Sequence, residues 1–221
     1  MRCSRRQFSY WARILVIGII AWSSHVRSHP HVWVVMESEI LANDERGVAG
    51  FRHRWTFDEY YSSFALSGLD KNNDGVYDRG ELQDLAELNI ASLRDYGFFT
   101  YPRLAGRELE RLPPRDYWLE YKNGMLSLLF TLPLKQQVPK ADLGTFELAI
   151  YDPTFFLSFA FAKRDPIRVA PGLTKCPPRI STPQAQPPAK SLSESIFSSN
   201  YALMNLGQKF AETVRIACEG P

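Results

Sequence analysis

The amino-acid sequence predicts a mainly β protein: an antiparallel β-sandwich that carries an inserted helix–loop–helix unit. About eight short segments alternate apolar and polar residues, as half-buried strands do. Turn-forming residues separate them, including Asn123-Gly124, a dipeptide that strongly favours a two-residue hairpin loop. Between about residues 58 and 96 the apolar spacing becomes helical instead. Short strands with frequent turns are typical of a sandwich, so we expect one such domain over residues 29–170.

Residues 1–28 have the layout of an export signal. Arginines precede a nine-residue apolar run from Ile14 to Trp22, and Val26-Arg27-Ser28 places small residues before a cleavage site. A run of this length is too short to span a bilayer, so we expect no retained membrane anchor. Ser4-Arg5-Arg6-Gln7-Phe8 resembles the twin-arginine motif, but a general secretory signal explains the same residues. We therefore expect a periplasmic or otherwise exported protein that begins at His29, by either route.

Removing the signal reverses the sign of the net charge. The whole chain has 26 basic and 24 acidic residues, and five arginines but no acidic residue lie in residues 1–28. The mature chain keeps 21 basic residues against 24 acidic ones, a net charge of about −3. Nucleic-acid-binding domains carry a basic excess or a basic stripe, and neither is present here. Nucleic acid is therefore not an expected partner.

The predicted strands follow in order along the mature chain. Residues 31–41 and 51–57 form a first hairpin around the turn at residues 43–47. Two helices then flank a polar loop, the second over residues 82–93. The later strands are expected at residues 98–104, 107–112, 117–121, 125–134, 146–151 and 155–161.

The C-terminal part differs in composition. Residues 171–199 are rich in proline, serine, glutamine and alanine, which predicts a linker. Residues 200–221 are a C-terminal segment that packs back, with a final strand over 210–216. Cys176 and Cys218 remain after cleavage, and an oxidising compartment favours a disulfide between them. Such a bond would contribute about 2–4 kcal/mol to stability.

Residues 70–81 match the twelve-residue EF-hand calcium loop. Calcium takes six to eight oxygen ligands, which this spacing supplies, and Gly75 stands at the sharp bend. No second loop is present, and Tyr77 replaces a small aliphatic residue, so we expect weak affinity, about 10⁻⁴–10⁻³ M. The alternative is an acidic surface turn that binds nothing. The predicted ligands are Asp70, Asn72, Asp74, the Val76 carbonyl, Asp78 and Glu81.

Three histidines remain in the mature chain. His29 and His31 lie beside the new α-amino group, and these nitrogen ligands suit zinc, nickel, cobalt or copper. Alternatively, they are solvated residues of a frayed terminus. His53 stands on the apolar face of its strand, which favours a buried, hydrogen-bonded side chain over a third ligand. We found no nucleophile elbow, phosphate-binding loop, dinucleotide glycine motif or His-Glu-x-x-His, so we do not expect an enzyme.

Five separated motifs resemble one bacterial family of unknown function, the periplasmic component of an uncharacterised ABC-type transport system. The resemblance extends from His29 to about Cys176, and members are often associated with nickel, cobalt or zinc transporters. It implies a metal-binding accessory protein whose partner is an inner-membrane metal transporter. The alternative is a calcium-stabilised structural or interaction module without a transition-metal role. The motifs are HPHVW at residues 29–33, RHRWTFDE at 52–59, GLD at 68–70, PPRDY at 113–117 and YDP at 151–153.

Overall fold

The computed structural model describes residues 31–183, 206–216 and 218, so the predicted signal, His29 and residues 184–199 lie outside the described residues. Two β-sheets form the molecule, which confirms the mainly β sandwich. Sheet A has the order β5-β6-β2-β1-β8, and β9 also pairs with β1. Its strands are β1 (Val32–Ala42), β2 (Val48–Phe57), β5 (Arg115–Lys122), β6 (Met125–Val138), β8 (Leu157–Phe161) and β9 (Ile167–Val169).

Sheet B packs against sheet A and has the order β10-β11-β7-β3-β4. Its strands are β3 (Thr100–Leu104), β4 (Arg107–Glu108), β7 (Phe146–Ile150), β10 (Pro178–Ser181) and β11 (Thr213–Ile216). The described helices are α1 (Glu59–Ala65), α2 (Gln83–Arg94) and α3 (Leu206–Phe210), with 3-10 turns at Gly97–Phe99, Lys140–Thr145 and Pro171–Leu173. No helix in these described ranges is long and apolar enough to cross a membrane.

The core lies between the two sheets and is built from the alternation of β1 and β2. Phe51, His53 and Trp55 point inward, whereas Arg52 and Arg54 alternate with them. Phe51 contacts Phe146 of sheet B, with ring centroids 6.3 Å apart. These buried aromatic rings join the sheets, as the alternating pattern predicts.

The pairing differs from a purely antiparallel sandwich at one edge of sheet A. Both β8 and β9 run parallel to β1. The chain reaches β8 from β7, which belongs to the other sheet, through residues 151–156. A connection between sheets imposes no hairpin geometry, so antiparallel pairing is not required there.

Several predicted strands are shorter in the structure. Residues 98 and 99 belong to a 3-10 turn with positive φ, and β4 is only two residues long. Residues 155 and 156 lie in a turn because the buried Asp152 carboxylate accepts the N–H groups of residues 154, 156 and 157. That carboxylate builds the connection between β7 and β8.

The first part of the predicted linker is folded. Pro171–Leu173 forms a 3-10 turn, and β10 pairs antiparallel with β11. The pairing gives the proline-rich segment a hydrogen-bonded partner that composition does not reveal. The predicted disulfide between Cys176 and Cys218 is present, and it fastens the end of the chain beside this strand pair.

The helical unit packs against sheet A. Asp58 caps α1 by accepting the N–H of Tyr61, at 2.9 Å. The buried Ser62 hydroxyl accepts the N–H of Leu126 in β6, also at 2.9 Å. α2 packs against β5 and the turn Gly97–Phe99. The loop between α1 and α2 is thereby held close to β5.

Candidate functional site

The loop at residues 70–81 docks on strand β5 through two aromatic contacts. The Tyr77 and Tyr121 rings meet edge to face, with centroids 5.2 Å apart. The Arg79 guanidinium lies 5.0 Å from the centre of the Trp118 ring, within the range of a cation–π contact. Tyr77 therefore anchors the loop to the sandwich. The contacts that Tyr77 and Arg79 make with β5 were not predicted, because no local pattern links the loop to a strand so distant in sequence.

The first half of the loop is organised by its own oxygen side chains. The Asp70 carboxylate accepts the N–H groups of Asp74, at 3.2 Å, and Gly75, at 3.0 Å. Asn72 Oδ1 also accepts the N–H of Asp74, and Asp74 Oδ1 accepts that of Val76 at 2.7 Å. Gly75 has a φ of +77°, which a residue with a Cβ adopts only with strain. These side chains therefore turn toward the inside of the bend.

The second half is tied to the first by Glu81. Asp78 Oδ1 accepts the N–H of Glu81 at 2.9 Å, and Glu81 Oε2 accepts the N–H of Asp78 at 3.2 Å, the reciprocal bonding of a capping box. Glu81 Oε1 accepts the N–H of Lys71 at 2.8 Å. Glu81 is only 8% exposed. The last predicted ligand thus lies beside the first residues of the loop.

The oxygen atoms of this loop are ligands of the type that calcium binds. In this structure its carboxylates accept main-chain N–H groups. In the ranges that the structure describes, no group of three or more His, Cys, Asp or Glu residues is arranged to hold a metal ion. The neighbouring basic side chains contact groups outside the loop. Lys71 Nζ lies 3.9 Å from Asp84, and the Arg79 guanidinium stacks on Trp118. No ion pair within the described chain neutralises the loop carboxylates, which are Asp70, Asp74, Asp78 and Glu81.

His53 is a core residue. It is 1% exposed, its Nδ1 lies 2.8 Å from the Ser38 hydroxyl, and its Nε2 lies 3.4 Å from that of Thr100. Burial lowers the pKa of His53 from 6.5 to about 3, so the ring is neutral at physiological pH. The structure thus places His53 in the buried, hydrogen-bonded setting, with both ring nitrogens facing hydroxyl groups.

The structure does not bring His31 and His53 together. His31 is exposed at the start of β1, and its ring centroid lies 5.0 Å from that of Phe156. Ser38, which pairs with His53 across β1 and β2, is seven residues further along and on the buried face. His53 is therefore not positioned to join His31 in one metal site.

Comparison with known proteins places the chain among uncharacterised relatives. A family model described as "Protein of unknown function (DUF1007)" matches residues 14–218. An uncharacterized protein of Haemophilus influenzae is 24% identical over 209 residues, which are 93% of this chain and 98% of that protein. An uncharacterized 15.5 kDa protein in the trpE 3' region of Spirochaeta aurantia is 31% identical over 99 residues, 44% of this chain and 69% of that protein. Function must therefore be argued from the residues of this chain.

Proposed function

The chain belongs to the DUF1007 family of unknown function, and we propose that this member is an exported calcium-binding accessory protein of divalent-cation transport. One observation carries the calcium part. The loop at residues 70–81 holds four carboxylates without an ion-pair partner in the described chain, while Glu81 joins its two ends. A hard divalent cation is the natural counter-charge for such a set of oxygens.

Calcium would be held by the side chains of Asp70, Asn72, Asp74, Asp78 and Glu81 together with the Val76 carbonyl. The ion supplies positive charge that offsets the repulsion between these carboxylates. Because the loop connects α1 to α2 and contacts β5, bound calcium would fix the helical unit against the sandwich. This role is architectural, and the expected affinity is that of extracellular modules, about 10⁻⁴–10⁻³ M.

Replacing Glu81 by glutamine is expected to weaken calcium binding at least tenfold. The change removes one negative charge and the bidentate carboxylate that the twelfth loop position supplies. Isothermal titration of the mature protein measures the affinity, and circular dichroism in EDTA checks that the variant is folded. Glu87→Gln is the matched control, since Glu87 lies on α2 outside the loop and should leave binding unchanged. Undiminished calcium affinity in a folded Glu81→Gln protein would refute the site.

The transport part of the proposal rests on the mature N-terminus and on the resemblance to proteins associated with nickel, cobalt or zinc transporters. His29, His31 and the free α-amino group together offer three nitrogen ligands of the kind these ions bind. A transporter in the inner membrane is the partner that this arrangement suits. The protein would present the ion at the outer face of that membrane.

Titration with zinc and nickel, using protein that begins at an authentic His29, tests this second part. Saturable binding is expected, and His29→Ala or His31→Ala should each weaken it by at least about tenfold, the scale on which metal-site changes act. His53→Gln is the control, because that side chain is buried in the core. A chain that binds neither zinc nor nickel excludes the transition-metal role while leaving the calcium proposal intact.

A calcium-stabilised structural or interaction module is the second candidate function. The burial of His53 favours it, since it leaves one histidine fewer for a transition metal. Calcium binding without zinc or nickel binding would select this alternative. The search for a partner would then move to other exported proteins.

A further inference from the structure

A cavity of about 470 Å³ opens between the inner face of sheet A, helix α2 and the turn that follows β7. Its volume lies within the range of small-molecule sites, about 300–1,000 Å³. Tyr96 and Phe156 are 51% and 47% exposed, so they stand on its solvent side. Six aromatic residues contribute to the walls: Trp55, Phe57, Tyr61, Tyr96, Phe99 and Phe156.

Two hydrogen-bond donors of the cavity walls have no partner within the described chain. They are Trp55 Nε1 and Asn89 Nδ2, and both atoms are buried. Buried donors are nearly always satisfied, because an unmade hydrogen bond costs free energy. Asn89 is half-buried on α2, so rotation about its side-chain bonds can turn its amide toward an acceptor in the cavity.

The charge of the walls restricts the ligand further. Asp152 supplies the one ionisable carboxylate among the described lining residues, and no lysine, arginine or histidine is among them. Its oxygens already accept hydrogen bonds from Thr154, Phe156 and Leu157. An anion would meet this carboxylate without any compensating cation, so the site disfavours it.

We propose that this cavity binds a neutral, largely apolar small molecule that carries a carbonyl-type acceptor. The aromatic walls take the apolar body, and the acceptor receives hydrogen bonds from Asn89 and Trp55. No residue of the calcium loop lines the cavity, whereas Phe156 in its wall also contacts His31. The cavity therefore gives the protein a binding function distinct from that of the calcium loop.

Fluorescence titration with prodan, a neutral naphthalene ketone, tests the proposal on the mature protein. Blue-shifted emission that saturates at one molecule per chain is expected. Asn89→Leu and Trp55→Phe each remove one donor and keep an apolar side chain, and each should weaken binding about fivefold, the effect of one hydrogen bond. Trp118→Phe is the matched control, because Trp118 Nε1 donates to Glu120 away from the cavity.

Two further measurements test the proposal if the Trp55→Phe variant does not fold. Ser92→Trp places a bulky ring at an exposed lining position of α2, and it should abolish prodan binding without disturbing the core. The anion 2-naphthoate should bind at least tenfold more weakly than prodan, since it carries a charge toward Asp152. The proposal is overturned if prodan does not saturate, if Asn89→Leu and Ser92→Trp bind as the parent does, or if 2-naphthoate binds equally well.

Discussion

Between about pH 6 and pH 4 the folded protein is expected to lose about 1 kcal/mol of stability for each pH unit through His53 alone. The pKa of His53 is about 3 in the folded protein and 6.5 in the unfolded chain, because burial disfavours the charged ring. Below pH 6.5 the His53 ring binds a proton in the unfolded chain but stays neutral in the folded protein. Above pH 6.5 the ring is neutral in both states, so His53 does not change the stability there. Below pH 6.5 the free energy of unfolding falls until the pH approaches 3, where the folded protein also binds the proton.

Urea unfolding at several pH values measures this slope. Carboxylates titrate in the same range, so the comparison must be with His53→Gln, which lacks the titrating ring. The slope of the variant should be shallower by about 1 kcal/mol per pH unit or more between pH 6 and pH 4. His31→Gln is the matched histidine substitution outside the core. Equal slopes for the parent and His53→Gln would contradict the assignment.

Replacing Asp152 by alanine is expected to lower the free energy of unfolding by about 3–4 kcal/mol. Asp152 is 3% exposed, and its carboxylate accepts three main-chain N–H groups and the Thr154 hydroxyl at 2.7–3.0 Å. Alanine removes the common acceptor of these four donors, and hydrogen bonds to a charged group contribute more than neutral ones. The turn from β7 to β8 would lose its organising group.

Urea unfolding of Asp152→Ala and Asp152→Asn at neutral pH checks this expectation. The asparagine variant should lose about half as much, because one carbonyl oxygen remains while the amide group opposes the N–H donors. Asp44→Ala provides the control, since Asp44 is exposed in the turn between β1 and β2 and should change stability by less than about 0.5 kcal/mol. If Asp152→Ala lowers the free energy of unfolding by less than about 1 kcal/mol, the turn is stable without this carboxylate.

The parts of the fold that depend on local pattern could be predicted from the sequence. The alternation around Phe51 and Trp55 identifies β2, and Asn123-Gly124 identifies the β5–β6 hairpin, with φ values of 53° and 80° at the two residues. The polar loop between α1 and α2 could be predicted in the same way, because its composition is a local property. Helix α2 begins and ends within one residue of the helix expected at residues 82–93.

The parts that depend on distant contacts could not be predicted. The parallel pairing of β8 with β1, the folding of residues 171–181 and the docking of Tyr77 on Tyr121 each join segments far apart in the chain. The cavity is formed in the same way, since its walls come from β1, β2, β6, both inserted helices and the Asp152 turn. Periodicity identifies which residues are buried, but it does not identify which buried residues face an open space.

The bond between Cys176 and Cys218 closes a covalent ring over residues 176–218, about a fifth of the chain. A protease that cuts the backbone once anywhere between these cysteines would leave both pieces in one molecule. β11 would then stay tethered near its partners in sheet B at a high effective concentration. A single cut in this segment would therefore not release the final strand from the protein.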